Sequence, residues 1–298
     1  MLPSSIILNN LRVARWCRIQ PQESVLDVGS GQHPFLRANV LVDRFLFDSS
    51  ERAFRAQAVI DRPLFVADAE RLPFADKSFD VVVCQHLLEH VTDPAALLTE
   101  LQRVGKRGYI ETPTRLYEKL YGNPFHAWWV TQSEGRLILE EKSRPFFDDE
   151  IATFFHENVD HGSRFGKCVS RSLSALGFHV EYLWENEIRW EIHRQSDALP
   201  GKTIAAQPAA SPVPDEWRPP NRPLWPQMKS ALSQGVRRSS DRVLNLPAKV
   251  RCPFDGSPLA RGGSSWSCSR CSSEFPIRGN IHVFDRAHIA PQQSTQSA

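Results

Sequence analysis

Five short apolar runs punctuate the first part of the chain: Val25–Val28, Val40–Asp43, Leu64–Ala67, Asp80–Cys84 and Tyr109–Glu111. They are rich in β-branched residues and bounded by turn formers, which predicts strands. Helical stretches lie between several of them. The clearest opens at Asp93-Pro94, a capping residue followed by proline at the first helical position. It continues through Ala95, Leu97, Leu98, Leu101 and Val104 to Gly105. Strands alternating with helices imply a doubly wound, mostly parallel α/β sheet. A later helix over Val169–Leu176 should stop at Gly177 and feed two runs, Phe178–Trp184 and Glu187–His193, with Glu185-Asn186 between them. That spacing predicts a closing antiparallel hairpin.

The pattern breaks after residue 195. Eight prolines fall within Pro200–Pro226, a composition that fixes φ and removes backbone donors, so 196–226 is expected to be an extended linker. Met228, Leu232, Val236 and Val243 then recur at helical spacing, which places a helix in 227–249. From Pro226 to Arg251 there are six Lys/Arg and one Asp, a basic face that leaves room for a local nucleic-acid or phospholipid contact. A compact Cys/Gly-rich module over 250–286 and a frayed tail over 287–298 complete the expected organisation, with 1–195 as the first domain. No internal repeat is visible.

Composition narrows the class. With 36 Lys+Arg against 34 Asp+Glu, a formal net charge of +2 disfavours a broad nucleic-acid footprint. No apolar run approaches the ~18 residues of a membrane span. The first residues lack a basic region, a sustained apolar core and a small-residue cleavage site, so no secretory signal is expected. Six cysteines, three of them within Cys252–Cys271, suit a reducing, cytoplasmic compartment and a small metal site better than a disulfide scaffold. Cys17, Cys84 and Cys168 have no ligand spacing and are expected to be buried thiols.

The chemistry concentrates at strand ends. The first strand carries Asp27 and leads into Gly29-Ser30-Gly31, where a backbone can approach a ligand at the carboxyl edge of an α/β sheet. The second run ends in Asp43, placed for ribose hydroxyls; Asp68 follows the third, placed for an adenine edge; Gln85 and His86 follow the fourth. A dinucleotide dehydrogenase is the weaker alternative, because Pro34 stands where the last glycine of its fingerprint should come.

Val25–Gly31 together with Asp68-Ala-Glu-Arg-Leu-Pro-Phe-Ala-Asp-Lys-Ser-Phe-Asp-Val-Val-Val-Cys-Gln-His-Leu-Leu-Glu-His90 resembles class I S-adenosylmethionine-dependent methyltransferases over about residues 20–112, in particular the quinone-biosynthesis and small-molecule branch. The resemblance implies a seven-stranded sheet whose last strand is antiparallel. It also implies that Asp27, Gly29, Ser30 and Gly31 shape the methionine side of the cofactor pocket, Asp43 the ribose, Asp68 and Ala69 the adenine, and that Gln85 faces the cofactor. The sequence departs from the pattern at His33-Pro34, where a small residue is more usual.

Candidates for removing a proton from an acceptor are His126, His86 and Glu111. His126 ranks first because it follows the fifth strand, in the region expected to cover the acceptor, beside Trp128 and Trp129, which could stack on a ring. Glu89 and His90 are read as supports of the fold, and His156 and His161 as exposed lid residues. No Asn/Asp-Pro-Pro-aromatic motif follows the fourth strand, which counts against methylation of base amino groups.

In the C-terminal module Cys252-Pro-Phe-Asp255 and Cys268-Ser-Arg-Cys271 are spaced as two zinc knuckles with Asp255 in place of one cysteine. With Phe275-Pro-Ile and Gly279-Asn-Ile281, the segment resembles the small zinc-ribbon activators of tRNA and translation-factor methyltransferases, which implies a zinc held by Cys252, Asp255, Cys268 and Cys271. His282 is a weaker ligand because it falls in the terminal strand. The expected function is methyl transfer from S-adenosylmethionine to oxygen of a small-molecule, sugar or lipid-linked acceptor. Methylation of tRNA, rRNA or a translation protein is the alternative, and a non-catalytic cofactor-binding activator a third.

Overall fold

A computed structural model describes residues 3–46, 58–121, 123, 125–142, 149–155, 157, 177–194, 234–235 and 244–285. The helix expected over Val169–Leu176, His156, His161, Cys168, the Pro-rich segment, the basic helix except 234–235 and 244–249, and the tail lie outside the described residues.

Strands β1 (Val25–Val28), β2 (Val40–Val42) and β3 (Leu64–Val66) are buried at every position, as strands covered on both faces must be. With β4 (Phe79–Gln85) and β5 (Gly105–Pro113) they form a parallel sheet in the order β3-β2-β1-β4-β5. The strand order reverses between β1 and β4, so a crevice opens outside their carboxyl ends.

Helix α1 (Pro3–Trp16) covers one face: Val13, with Cys17 just beyond the helix, packs with Val25, Phe35, Leu41 and Tyr109. It does the work of a crossover helix, because residues 29–39 between β1 and β2 contain none. That connection is fastened instead by Asn10, whose Oδ1 accepts from Leu36 N at 2.6 Å. Helix α2 (Pro94–Val104) covers the other face with Leu97, Leu98, Leu101 and Val104. The Asp93 carboxylate accepts from Ala95 and Ala96 N–H at its start, and β5 begins at Gly105 without an intervening loop.

Strand β8 (His179–Glu185) pairs antiparallel with β5, as expected of the closing strand. The predicted hairpin does not form. After Asn186, whose φ is +63°, the chain leaves the sheet, and β9 (Trp190–His193) pairs parallel with β7 (Arg136–Glu141). Strand β7 pairs antiparallel with β6 (Trp128–Ser133), giving a second, three-stranded sheet. Ile188 explains the departure: it is buried in the core just after the turn, which pulls the chain away from β8. The short helices α3 (Arg115–Tyr121) and α4 (Asp149–Phe155) lie against each other beside this sheet.

The C-terminal module continues the main sheet. After α5 (Leu246–Lys249), strands β10 (Ala260–Arg261), β11 (Ser265–Ser267), β12 (Glu274–Arg278) and β13 (Ile281–Val283) run as an antiparallel meander, and β13 pairs parallel with β3. Among the described residues the main sheet has ten strands, six from the first part, where seven were expected, and four from the module. Asn280, which interrupts the expected Gly-Ile ending, lends its carbonyl to Leu64 N at 2.8 Å. Leu246, Val250, Phe275 and Phe284 share one apolar core with Phe65, Phe74 and Phe79.

Candidate active site at the carboxyl edge of the sheet

The expected cofactor positions lie at or just beyond the carboxyl ends of β1 to β4. Gly29 and Gly31 have φ of +78° and +48°, conformations that favour glycine. Their loop is tied to β2: Gly29 and Ser30 N–H donate to Val42 O, and Gly31 N–H donates to Asp43 Oδ2 at 2.8 Å. Asp43 also accepts from Phe45 N, so it orders its own loop as well as the glycine turn. Asp27 is buried and accepts from Phe35 N at 2.7 Å, which pins the helix-free connection. Asp68 caps Glu70 N and meets Arg44 Nη1 at 3.1 Å; Ala69 is half-buried, and so is Gln85 at the end of β4. Ser30 Oγ and Gln32 Oε1 are buried with no hydrogen-bond partner among the described residues. Buried polar atoms are seldom left so, and a polar ligand at the glycine turn would satisfy both.

Beside this crevice lies a network of His and Glu. His86 follows β4 with φ of +54°. Its Nε2 is 3.3 Å from Glu111 Oε1 and its Nδ1 is 3.5 Å from Glu89 Oε1. Desolvation pulls the pKa of the half-exposed imidazole down, but the Glu111 and Glu89 carboxylates outweigh it and raise it. Burial alone would raise both carboxyls; contact with His86 and, for Glu89, the neighbouring His126 and His90 bring each down to about 2. Glu111 also accepts from Tyr109 OH at 2.5 Å, and Glu89 from Thr112 Oγ1 at 2.9 Å. His179, from β8, stands edge-on to His86 with ring centroids 5.2 Å apart. Its pKa is lowered by burial and by the charge of His86.

His126 is placed differently from the expectation of an open, acceptor-facing base. It is 7% exposed, its Nδ1 is paired with the Glu118 carboxylate, and Glu118 also takes Lys142 Nζ at 2.8 Å. Burial lowers its pKa. Trp128 is a core residue whose Nε1 donates to Val91 O, so it offers no face to an acceptor ring. Trp129 is engaged by Arg115 and Lys142 over its ring. The cause is the alternation of β6, which turns Trp128 and Val130 inward. Sequence reasoning missed His179, Glu118, Lys142 and Arg44 and assigned Glu89 to the fold. Only antiparallel pairing, which sets His179 opposite Pro113 at the end of β5, could have found His179.

Residues 26–110 match the family described as a methyltransferase domain. Over this stretch the chain is similar to methyltransferase domains. A demethylmenaquinone methyltransferase of Beutenbergia cavernae is 34% identical over 158 residues, covering 46% of this chain and 65% of that protein. The corresponding enzyme of Renibacterium salmoninarum is 31% identical over 113 residues, 34% of this chain and 48% of that one. An uncharacterized methyltransferase of Schizosaccharomyces pombe is 35% identical over 103 residues, with 32% and 37% covered. The chain thus spans 37% to 65% of the length of these relatives. Among solved structures, the YcgJ protein of Bacillus subtilis has a TM-score of 0.30 at 22% identity, covering 41% of this chain and 60% of that one. Coclaurine N-methyltransferase bound to N-methylheliamine and SAH has a TM-score of 0.31 at 19% identity, with 38% of each chain covered. The family match ends at Ile110, one residue before Glu111, so β8 and the C-terminal strands extend beyond the matched methyltransferase domain.

In the C-terminal module the Cys252, Cys268 and Cys271 thiols and the Asp255 carboxylate offer ligand atoms that all lie within 4.8 Å of one another. Cys252 Sγ is 3.6 Å from Cys271 Sγ, and Cys268 Sγ is 3.4 Å from Asp255 Oδ2. His282 is not among them: its Nδ1 accepts from Trp266 Nε1 and its ring stacks on Phe65. No described helix is long and apolar enough to cross a membrane.

Proposed function

We propose that the chain transfers a methyl group from S-adenosylmethionine to oxygen of a small, ring-bearing or lipid-linked acceptor. The glycine turn with its two orphaned polar atoms, Ser30 Oγ and Gln32 Oε1, at the β1/β4 crevice carries this reading. The cofactor supplies an electrophilic methyl on a positively charged sulfur. Asp27, Gly29, Ser30 and Gly31 would bound the amino-acid end, Asp43 the ribose, Asp68 and Ala69 the adenine, with Gln85 alongside. The relatives named demethylmenaquinone methyltransferase favour a small ring-bearing acceptor.

The chain's own part is to align the acceptor for in-line attack and exclude water. His86, between the Glu89 and Glu111 carboxylates, stands where it can meet an acceptor oxygen or carbonyl. Glu111 is too weak a base to take a proton from a neutral hydroxyl at neutral pH. An acceptor that is already acidic, such as a hydroxyquinone, matches this edge best. His126 serves as a support for the β6–β7 side of the site.

The donor set Cys252, Asp255, Cys268 and Cys271 fits a structural zinc in number, type and spacing. It would lock the module that pads β3. Methylation of tRNA, rRNA or a translation protein is the second reading, favoured by the continuity of that module with the sheet bearing the cofactor edge. It predicts co-purifying RNA and binding that weakens steeply with salt.

The test is calorimetry of S-adenosylmethionine with the full chain, followed by transfer of labelled methyl to extracted phenolic and quinol compounds. Micromolar binding and a labelled small molecule are expected. No binding below millimolar would overturn the reading.

A further inference from the structure

We infer that His86, Glu111 and His179 form a divalent-cation site at the carboxyl edge of the sheet, next to Gln85. It would take a first-row transition ion, and this statement does not rest on the methyltransferase reading.

Three observations converge. The ligand atoms of the three side chains all lie within 4.8 Å of one another, and His86 Nε2 and Glu111 Oε1 are 3.3 Å apart. Donors ~2.1 Å from one ion stand roughly 3 Å apart at right angles and about 4.2 Å apart when opposite, so small side-chain movements close the set. Two imidazoles and one carboxylate, with remaining positions open, are a donor set suited to iron, zinc, cobalt or nickel.

The surroundings are those of a ligating histidine. Glu89 is 1% exposed, and its Oε1 has no hydrogen-bond partner among the described residues and faces His86 Nδ1 at 3.5 Å. A buried carboxylate behind one ring nitrogen aims the other at an ion. Thr112 Oγ1 fixes the second Glu89 oxygen at 2.9 Å, which prevents the carboxylate from turning away.

The backbone points the same way. His86 holds φ of +54°, a conformation that costs a non-glycine residue free energy, and its N–H donates to Glu111 O at 2.8 Å. The turn brings the ring over β5 rather than letting it follow the strand into solvent. The His86 side chain is 46% exposed, so open coordination positions would face the crevice mouth.

The probe is Co2+ titrated into the full chain after chelator treatment. Thiolate-bound Co2+ at the cysteine cluster gives a near-ultraviolet charge-transfer band, and a His/carboxylate site adds a second equivalent without that band. We expect the second equivalent in the wild type and its loss in His179→Ala at Co2+ concentrations that saturate the wild type, with the thiolate band retained as proof of folding. Glu89→Gln should weaken the second site about 10- to 100-fold. Absence of a second equivalent in the wild type, or its persistence in His179→Ala, overturns the inference. Calorimetry with S-adenosylmethionine runs in parallel. Cofactor binding without the second cation sinks the site alone, and the second cation without cofactor binding sinks the methyltransferase reading alone.

Discussion

His282 ties the two parts of the chain together. Its ring stacks on Phe65 of β3 at 4.5 Å between centroids, and its Nδ1 accepts from Trp266 Nε1 at 2.9 Å. Burial, reinforced by the charge of Arg261, pushes its pKa down to about 4. Between that value and the ~6.5 of an unfolded histidine, the unfolded chain binds more protons, so stability falls as the pH drops from about 6.5 to 4. The full effect is about 3 kcal/mol, and thermal melts at pH 7 and pH 5 should show most of it as a lowered Tm. His282→Gln, which can still accept from Trp266, should flatten that part of the pH dependence; an unchanged profile would discount the residue. At Gly29, a Cβ would meet Leu87 Cβ and Cδ2 at 3.0 Å while φ stays at +78°. Gly29→Ala should cost roughly 1–3 kcal/mol and weaken S-adenosylmethionine at least about tenfold by calorimetry.

The elements were legible in proportion to how strongly each announced itself locally. β1 and α2 could be bounded from the sequence, because a short β-branched run and an Asp-Pro cap with a Gly stop are self-contained signals. The span of β5 was not: its first half, Gly105–Gly108, carries Lys106 and Arg107 and reads as a polar turn. Those glycines serve packing instead. A Cβ on Gly108 would lie 2.2 Å from Val82 O and 2.8 Å from Trp184, so Gly108→Ala should cost about 1–3 kcal/mol in urea unfolding. Gly263→Ala, where nothing lies within 4 Å, should change stability by less than about 0.5 kcal/mol. The strand ends bearing Asp27, Asp43, Asp68 and Gln85 could be located from the sequence because the parallel order follows from strand–helix alternation. The His86–Glu111–His179 group could not, because it depends on β8 returning antiparallel and on one residue in a left-handed turn.

At the scale of the whole molecule, the main sheet connects the proposed cofactor edge to the cysteine cluster. Arg44, after β2, bridges Asp68 at the expected adenine position and Asp285, just after β13, at 2.7 Å. Removing the proposed zinc from the cysteine cluster should therefore loosen β10–β13, lower Tm by about 5–10 °C and weaken cofactor binding together. Asp255→Cys should retain zinc at chelator concentrations that empty the wild type, and equal loss from both would argue against a metal there. The pairing of β13 with β3 has one more consequence, which concerns concentration. An open β3 would be a sticky edge, and a separate protein covering it would leave on dilution. Here the cover belongs to the same polypeptide, at an effective molarity that can reach the millimolar range, so the edge stays closed however scarce the protein is in the cell. A free ribbon protein would have to exceed that local supply to take its place.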